Sequence, residues 1–387
     1  MQHHLFMARS LTLPSRPSAG AARIAAFISP HGFGHAARCS AVLSALHRRI
    51  PQMHVDIFTL TPRWFFERSI DAPFSYHEHR TDIGMIQPSP LHENLEKTIA
   101  HLEGFIPFDP QWIDRIARQL DRWGCRLVLC DIAPTGIAVA RRAGIPSVLV
   151  ENFTWDWIYR AYAEKDRRFA IAACYLRERF QEADAHIQTE PLCRKVPWAD
   201  MTVPPISRPF RTPPAEVRRQ LGVPETAPLV LITMGGFQTD YDFWDALGAH
   251  REIWFIIPGA GARSDAGPNI ICLPQDSPFF HPDLVRCADV VVAKSGYSTI
   301  AEVCQAGAAY ACVLRPDFPE AQVLEAYIRS RLESIFMTEA EFQSGRWLDR
   351  GLLHLLARRR RRRAPSDGAD KVAAFIHARL RNGNKIT

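Results

Sequence analysis

Short runs of apolar residues alternate with longer amphipathic segments along most of the chain. The first apolar run is Ala22–Ser29, and an amphipathic segment that ends near Arg49 follows it. Four more runs of this kind occur in the first half, at His54–Leu60, Arg126–Asp131, Ser147–Asn152 and Ala185–Thr189. Because parallel strands are joined by long and usually helical connections, this alternation predicts an α/β fold with a parallel sheet covered by helices.

The alternation stops between Val203 and Pro228, where seven prolines occur. It then restarts with apolar runs at Pro228–Met234, Glu252–Pro258, Asn269–Leu273, Val290–Lys294 and Tyr310–Arg315. Proline density of this kind is typical of a linker between domains. We therefore predict two Rossmann-like, doubly wound domains at 21–203 and 228–345, joined by a linker at 204–227. Residues 1–20 are predicted to be a disordered leader, and residues 346–387 a helical tail.

Composition is that of a globular protein, with 47% apolar and 23% charged residues. The net charge of +6 comes from 47 basic and 41 acidic residues, and six of the basic ones form the run Arg358–Arg363. Without that run the chain is neutral, which argues against a folded nucleic-acid-binding surface. We interpret the run as a solvated helix end, and the alternative is a weak contact with an anionic membrane surface.

The apolar runs are all too short to span a bilayer, and the first 20 residues lack the apolar segment of a secretory signal. Nine cysteines without a CxxC pair are typical of reduced thiols. These features favour a cytoplasmic location, and peripheral association with the inner membrane is the alternative.

Glycine-rich loops follow the first predicted strand of each domain. The first loop is His31-Gly32-Phe33-Gly34-His35, and the second is Met234-Gly235-Gly236-Phe237. Ligands of doubly wound sheets bind beyond the carboxyl ends of the strands, and glycine lets the backbone approach them closely. The matched loops therefore predict a ligand site, although a plain turn explains either loop taken alone.

Two further loops follow strands in the second half. After Lys294, small and hydroxyl residues begin a helix that carries Glu302 one turn in. This helix start suits a diphosphate, and Glu302 suits the two hydroxyls of a ribose; the alternative is a capping box in which Ser298 or Thr299 pairs with Glu302. The last loop, after Arg315, offers Glu320 and Gln322 for sugar hydroxyls, and the alternative is that both are exposed polar residues at a helix start.

Other polar segments are candidates for the same cleft. The segment after Ser147–Asn152 carries Asn152, Trp155 and Asp156, which can bond to or stack on a sugar, although aromatic residues at this spacing also pack at helix starts. The polar stretch His77–Pro110 is too long for an ordinary connection and is predicted to be a functional loop. Asp240 and Asp242 are interpreted as solvated carboxylates, so no metal site is predicted.

Several of these motifs together are similar to those of a known family. They are HGFGHAAR, MGGF, HPDLVRCADVVVAKSGYSTIAEV and RPDFPEAQVLEAYI. They resemble GT-B glycosyltransferases, in particular the peptidoglycan N-acetylglucosaminyltransferases and the transferase-like N-terminal half of L-arabinokinases. The resemblance covers roughly residues 22–345 and implies two Rossmann-like domains that face each other across a cleft.

The resemblance also implies an activity and assigns roles to residues. It implies an inverting, metal-independent, hexosyltransferase-like enzyme that needs no cofactor beyond its nucleoside diphosphate sugar, which we expect to be UDP-linked. The residues implied to hold the donor are Met234, Gly235, Gly236, His281, Ser295, Gly296, Ser298, Thr299, Glu302, Glu320 and Gln322. Those on the side of the unknown hydroxyl acceptor are His31, Gly32, Gly34, Asn152, Trp155 and Asp156.

The catalytic base is assigned to His35, with Asp82 as its competitor, because an imidazole titrates near neutral pH. Ala321 and Gln322 stand where the peptidoglycan enzymes carry two adjacent glutamines, so specificity for N-acetylglucosamine does not transfer. The kinase domain of the arabinokinases has no counterpart here, so kinase activity is not expected. A sugar-nucleotide epimerase or hydrolase, and a non-catalytic sugar-nucleotide sensor, remain alternatives.

Overall fold

The structure is a computed structural model, and it describes residues 22–236, 241–261, 267–358 and 366–381. The predicted leader 1–20, Phe237, Asp240 and Arg359–Arg363 therefore lie outside the described residues.

The N-terminal lobe is built on a seven-stranded parallel sheet. Its strands are β1 (Arg23–Ile28), β2 (His54–Thr59), β3 (Phe74–Glu78), β4 (Cys125–Asp131), β5 (Ser147–Glu151), β6 (Ala185–Thr189) and β7 (Met201–Val203), in the order β3-β2-β1-β4-β5-β6-β7. The helices are α1 (Phe33–Arg49), α2 (Arg63–Glu67), α3 (Leu95–Glu103), α4 (Pro110–Arg122), α5 (Pro134–Ala143), α6 (Trp155–Ala161) and α7 (Arg167–Gln181). Strands such as β1 and β5 are buried along their whole length, because helices cover both faces of the sheet.

The C-terminal lobe repeats this plan with six strands. They are β8 (Leu229–Thr233), β9 (Trp254–Pro258), β10 (Ile270–Leu273), β11 (Val290–Lys294), β12 (Ala309–Val313) and β13 (Ser334–Met337), in the order β10-β9-β8-β11-β12-β13. The helices are α8 (Pro214–Leu221), α9 (Trp244–Ala249), α10 (His281–Cys287), α11 (Tyr297–Ala306), α12 (Ala321–Arg331), α13 (Glu339–Gln343) and α14 (Arg350–Leu356), with a 3₁₀ turn at Arg346–Leu348. All described strand pairs of both sheets are parallel, which confirms the predicted α/β class and its two doubly wound halves.

The strand order reverses direction once in each sheet, between β1 and β4 in the first lobe and between β8 and β11 in the second. At such a switch point the loops after the two neighbouring strands diverge and leave a crevice for a ligand. The two glycine loops follow β1 and β8, and the segment that begins with Ser295 follows β11. Strand order alone therefore places three of the four predicted loops at crevices.

The chain returns to the first lobe at its end. Residues 346–356 pack into the core of the C-terminal lobe through Trp347, Leu348 and Leu352. The last helix, α15 (Gly368–Arg381), instead packs on α1 and buries Val372 and Ile376 against the first sheet. The segment predicted as one helical tail thus divides between the lobes, because each of its two amphipathic parts covers a different apolar face.

Three other segments differ from the prediction. The predicted linker 204–227 contains α8, whose Val217 lies in the core of the C-terminal lobe. The predicted loop His77–Pro110 includes the end of β3 and the whole of α3. The strands β3, β7 and β13 were not predicted, because each is only partly buried and none has an apolar run longer than three residues.

Candidate active-site cleft

A cavity of about 600 Å³ lies between the lobes and is lined by both of them. This volume is that of a typical small-molecule site. The predicted site residues that line it are His31, Gly32, Gly34, His35, Asn152 and Trp155 from the first lobe, and Gly235, Gly236, His281, Ser295, Gly296, Ser298, Thr299, Glu302 and Glu320 from the second. Four predicted residues lie outside the lining, namely Asp82, Asp156, Met234 and Gln322.

His35 forms a hydrogen-bonded dyad with Asp131, which stands at the end of β4. The two atoms, His35 Nδ1 and Asp131 Oδ1, are 3.0 Å apart. Arg38, one turn further along α1, donates to both oxygens of Asp131 at 2.6 and 2.7 Å and to Oδ1 of Asn152. All four side chains are buried, so their orientations are held by contacts on every side. The dyad arises because β1 and β4 are neighbours in the sheet.

The protonation of this group follows from its surroundings. Burial lowers the pKa of His35, and Asp131 opposes this only in part, so His35 is neutral at neutral pH. Burial would raise the pKa of Asp131, but Arg38 and His35 hold it below its ordinary value. An ionised carboxylate only accepts hydrogen bonds, so Nδ1 of His35 carries the proton and Nε2 is left as a base.

Asp82, the predicted competitor of His35, is buried outside the cavity lining. Its oxygens accept hydrogen bonds from Ser29 Oγ at 3.1 Å and Trp155 Nε1 at 3.0 Å. Burial raises the pKa of Asp82 to about 7. Trp155 in turn packs edge-on against His31, with ring centroids 5.1 Å apart. Asp82 therefore holds the indole that supports the first glycine loop.

The second lobe contributes the start of α11. Gly296 is the N-cap residue, and no side chain caps this helix, so Ser298 and Thr299 lie within its first turn. The alternative interpretation, a capping box of Ser298 or Thr299 with Glu302, is therefore wrong, because Glu302 bonds to Arg208 and His281 instead. The first backbone N–H groups of a helix have no partner within it, and they favour anionic groups.

Glu302 is buried and paired with two cationic or ionisable side chains. Its Oε1 accepts from Arg208 Nη2 at 3.0 Å, and its Oε2 lies 2.8 Å from His281 Nδ1. Burial would raise the pKa of Glu302, but His281 and Arg208 lower it to about 2. The carboxylate is therefore ionised at neutral pH and keeps unused lone pairs for a ligand.

Lys294, Arg315 and Glu320 line the same cavity and are strongly desolvated. Burial, together with the nearby Arg315, lowers the pKa of Lys294 to about 7. Burial raises the pKa of Glu320 and lowers that of Arg315. Within the part of the chain that the structure describes, Arg315 Nε and Glu320 Oε2 have no hydrogen-bond partner. Buried polar atoms of this kind require a partner, and a ligand in the cavity can supply it.

The remaining predicted residues are placed as follows. Gln322 is exposed on α12, two residues after the buried Glu320. Asp156 is buried beside the cleft, and burial raises its pKa. The prediction missed Asp131, Arg38 and Arg208. Asp131 carried one signal in the sequence, since an acidic residue directly follows the apolar run Leu127–Cys130. In the structure, Ile132 after it adopts a left-handed φ of 42°, which is unfavourable for a branched residue.

Metal-binding clusters and membrane-spanning helices are both absent from the residues that the structure describes. Among them, no group of three or more His, Cys, Asp or Glu side chains is arranged to bind a metal ion. In the same ranges, none of the helices is both apolar and long enough to cross a bilayer.

Comparison with known proteins identifies the fold. No family model matches the chain. L-arabinokinase of Arabidopsis thaliana is 25% identical over 345 residues, which cover 83% of this chain and 31% of that protein. The chain thus spans about a third of the length of this curated relative.

Solved structures of glycosyltransferases match nearly the whole chain. MurG of Acinetobacter baumannii is 16% identical with a TM-score of 0.52, and the match covers 92% of this chain and 100% of that one. UGT2 of Phytolacca americana, solved with UDP-2-fluoro-glucose and pterostilbene, is 11% identical with a TM-score of 0.58, and the match covers 93% and 94%. These matches confirm the predicted resemblance and the GT-B fold.

Proposed function

We propose that this GT-B chain transfers a sugar from a nucleoside diphosphate sugar, with UDP as the nucleotide, to a hydroxyl group of an acceptor. The observation that carries the proposal is that His35, which is bonded to Asp131, and the start of α11 line one cavity from opposite lobes. A transferase needs a base on the acceptor side and a cradle for the leaving diphosphate on the donor side. The chain offers both in a single cleft.

His35 is the proposed base. Its Nε2 takes the proton from the acceptor hydroxyl while the oxygen attacks the anomeric carbon of the sugar. The bond between that carbon and the diphosphate oxygen breaks, and its electron pair leaves with the nucleoside diphosphate. Asp131 keeps the imidazole in the required tautomer and stabilises the imidazolium that forms. A single displacement of this kind inverts the anomeric centre.

The diphosphate is proposed to lie at the start of α11, where Ser295, Gly296, Ser298 and Thr299 line the cavity. Free backbone N–H groups there stabilise the charge that grows on the leaving group. The Lys294 ammonium lines the same cavity and adds a positive charge. These groups support transfer without a metal ion. Glu302 is proposed to accept hydrogen bonds from the ribose, and Glu320 from the transferred sugar.

The choice of UDP is supported by the Phytolacca americana structure, whose ligand is a UDP sugar. On the acceptor side the cavity is lined by aromatic rings, including Phe33, Trp64 and Phe153. Asn152 also lines it, and its amide donates to the Thr189 and Pro191 carbonyls. Flat rings of this kind pack on the apolar faces of sugars or on aromatic acceptors.

The test is a titration with UDP followed by product analysis. UDP is expected to bind to the wild-type protein, and binding is expected to weaken by at least about tenfold in Glu302→Ala. With a labelled UDP-sugar panel and hydroxyl acceptors, the label is expected to move only when an acceptor is present. A wild-type protein that does not bind UDP would contradict the proposal.

The same experiment separates the alternatives. Donor breakdown or isomerisation without an acceptor identifies a hydrolase or an epimerase. If UDP binds tightly without any turnover, and His35→Ala leaves this binding unchanged, the protein is a sensor.

A further inference from the structure

Arg208 lies in the segment that joins the lobes and is buried, with 5% of its surface exposed. Its Nη1 donates to Ser69 Oγ of the first lobe at 2.9 Å, and its Nη2 donates to Glu302 of the second lobe at 3.0 Å. One guanidinium group thus bonds to both lobes at once. Because the group is planar and its donors are fixed in direction, these two bonds set the relative position of Ser69 and Glu302.

The guanidinium is also stacked between two phenyl rings. Its carbon lies 4.9 Å from the ring centre of Phe65, which belongs to α2, and 4.9 Å from that of Phe280, which precedes α10. Contacts of this kind add attraction when the cation is desolvated, as it is here. Arg208 is therefore held by one aromatic ring from each lobe, in addition to its hydrogen bonds.

Glu302 depends on this arrangement. Both of its oxygens are engaged, one by Arg208 and the other by His281. The carboxylate is almost completely buried, and a buried charge that loses its partner is unstable. Among the described residues, the loss of Arg208 would leave His281 alone to orient the carboxylate, and Oε1 would have no donor among them.

We infer that Arg208 is a positioning residue: it orients Glu302 for the ribose of the donor and ties that end of the donor site to the first lobe. Glu302 is then fully oriented for the ribose only when the lobes are closed on each other, because Arg208 needs its contacts with both lobes to hold its position. The inference rests on the proposed function in one respect only, namely that Glu302 faces a ribose.

The experiment compares UDP with 2′-deoxy-UDP and 3′-deoxy-UDP. The wild-type protein is expected to bind UDP on the order of tenfold more tightly than either analogue, because each analogue leaves a charged acceptor without its hydroxyl. In Arg208→Gln this preference is expected to fall to about one- to threefold, while Arg208→Lys, which keeps the charge, retains part of it. A variant that merely loosened the fold would weaken all three ligands by the same factor.

Arg211 supplies a matched control. It belongs to the same joining segment, its guanidinium lies 4.3 Å from the same Phe280 ring, and it donates to the Arg68 carbonyl of the first lobe at 2.7 Å. Among the described residues, its guanidinium otherwise bonds to Asp71, at 3.4 Å, and not to Glu302. Arg211→Gln is therefore expected to leave the preference for UDP over the deoxy analogues unchanged.

A second readout does not need the ligand. Hydrogen exchange of the backbone of residues 295–302 in the free protein is expected to rise in Arg208→Gln and to stay at the wild-type level in Arg211→Gln. The double variant Arg208→Gln/Glu302→Gln is expected to show no further loss of preference relative to Glu302→Gln, since the two residues act as one unit.

The outcomes separate the two proposals. A wild-type protein that binds no UDP contradicts the proposed function, and the exchange measurement then still tests the link between Arg208 and α11. An Arg208→Gln variant that keeps both the tenfold preference and the wild-type exchange overturns the inference while leaving the proposed function intact.

Discussion

Gly34, in the first glycine loop, lies directly opposite Ser298 of α11, so that a Cβ atom on Gly34 would stand 3.3 Å from Ser298 Oγ. The nearby Gly236 faces the ring of Phe33 in the same way. Glycine at these positions lets the backbones of the two lobes approach closely. This contact lies where the acceptor hydroxyl and the donor diphosphate are proposed to meet.

Gly34→Ala tests whether this close approach matters for activity. Alanine is favoured over glycine within a helix by up to about 1 kcal/mol, so the first lobe is expected to remain folded and at least as stable. The added methyl group pushes against Ser298, and kcat is expected to fall several-fold at unchanged melting temperature.

Ser298→Ala provides the control, because the nearest atom to the new methyl group is then Ser298 Cβ, at an ordinary distance of 3.7 Å. The penalty of Gly34→Ala should therefore be smaller in the Ser298→Ala background. Equal penalties in both backgrounds would show that the contact is not the cause.

Asp131→Asn tests the dyad through the pH dependence of the rate. Asp131 raises the pKa of His35 against the larger lowering effect of burial, so its loss makes His35 a weaker base. We expect kcat to fall by about 10²-fold or more and the acid limb of the pH–rate profile to move to lower pH. His35→Ala is expected to abolish this limb. An acid limb that stays in place in Asp131→Asn would contradict the assignment.

Asp82→Asn separates the supporting carboxylate from the base. Because the pKa of Asp82 is raised to about 7, the folded protein binds more protons than the unfolded chain between about pH 4 and 7. Its contribution to the free energy of unfolding therefore decreases as the pH rises through this window. The asparagine variant is expected to lose this slope in urea denaturation and to keep kcat within a few-fold. If Asp82→Asn lowered kcat as much as His35→Ala does, Asp82 would again be a candidate for the base.

The lowered pKa of Lys294 leads us to expect proton uptake when the diphosphate binds. Its pKa is about 7 in the free protein, and a bound diphosphate favours the charged form. Above pH 7 the affinity for UDP is therefore expected to fall with rising pH, by up to about tenfold per unit. Calorimetry in two buffers of different ionisation enthalpy measures the uptake directly. Lys294→Met should remove it, and a wild-type protein without uptake at pH 8 would contradict the role.

The fold could be predicted from the sequence because its strands are continuous apolar runs. β1, β8 and β11 are buried throughout or nearly so, and their sequence limits are close to the structural ones. β3 escaped prediction because it is half exposed and carries polar residues, and pairing with β2 stabilises it instead. Whether such a segment forms a strand depends on pairing with a neighbouring strand, and the local sequence pattern does not show this pairing.

The candidate site was predictable where it depends on local sequence. His35 belongs to a glycine loop after a strand, and Glu302 lies one turn into a helix that follows another strand. Asp131 is 96 residues from His35 along the chain, and only the order of strands brings the two together. The role of Arg208 follows from no local sequence pattern, because its partners Ser69 and Glu302 belong to different lobes. Long-range side-chain contacts of this kind require the assembled structure.

The position of α15 has a consequence for biosynthesis. Val372 and Ile376 complete the apolar layer over α1 and the first sheet, yet they are translated after the whole second lobe. During synthesis, the first lobe therefore keeps one apolar face uncovered until the second lobe has been translated and α15 follows it. A fragment that ends at residue 203 would expose the same apolar face. A separate peptide of residues 366–381, added to that fragment, could bind to this face and cover it.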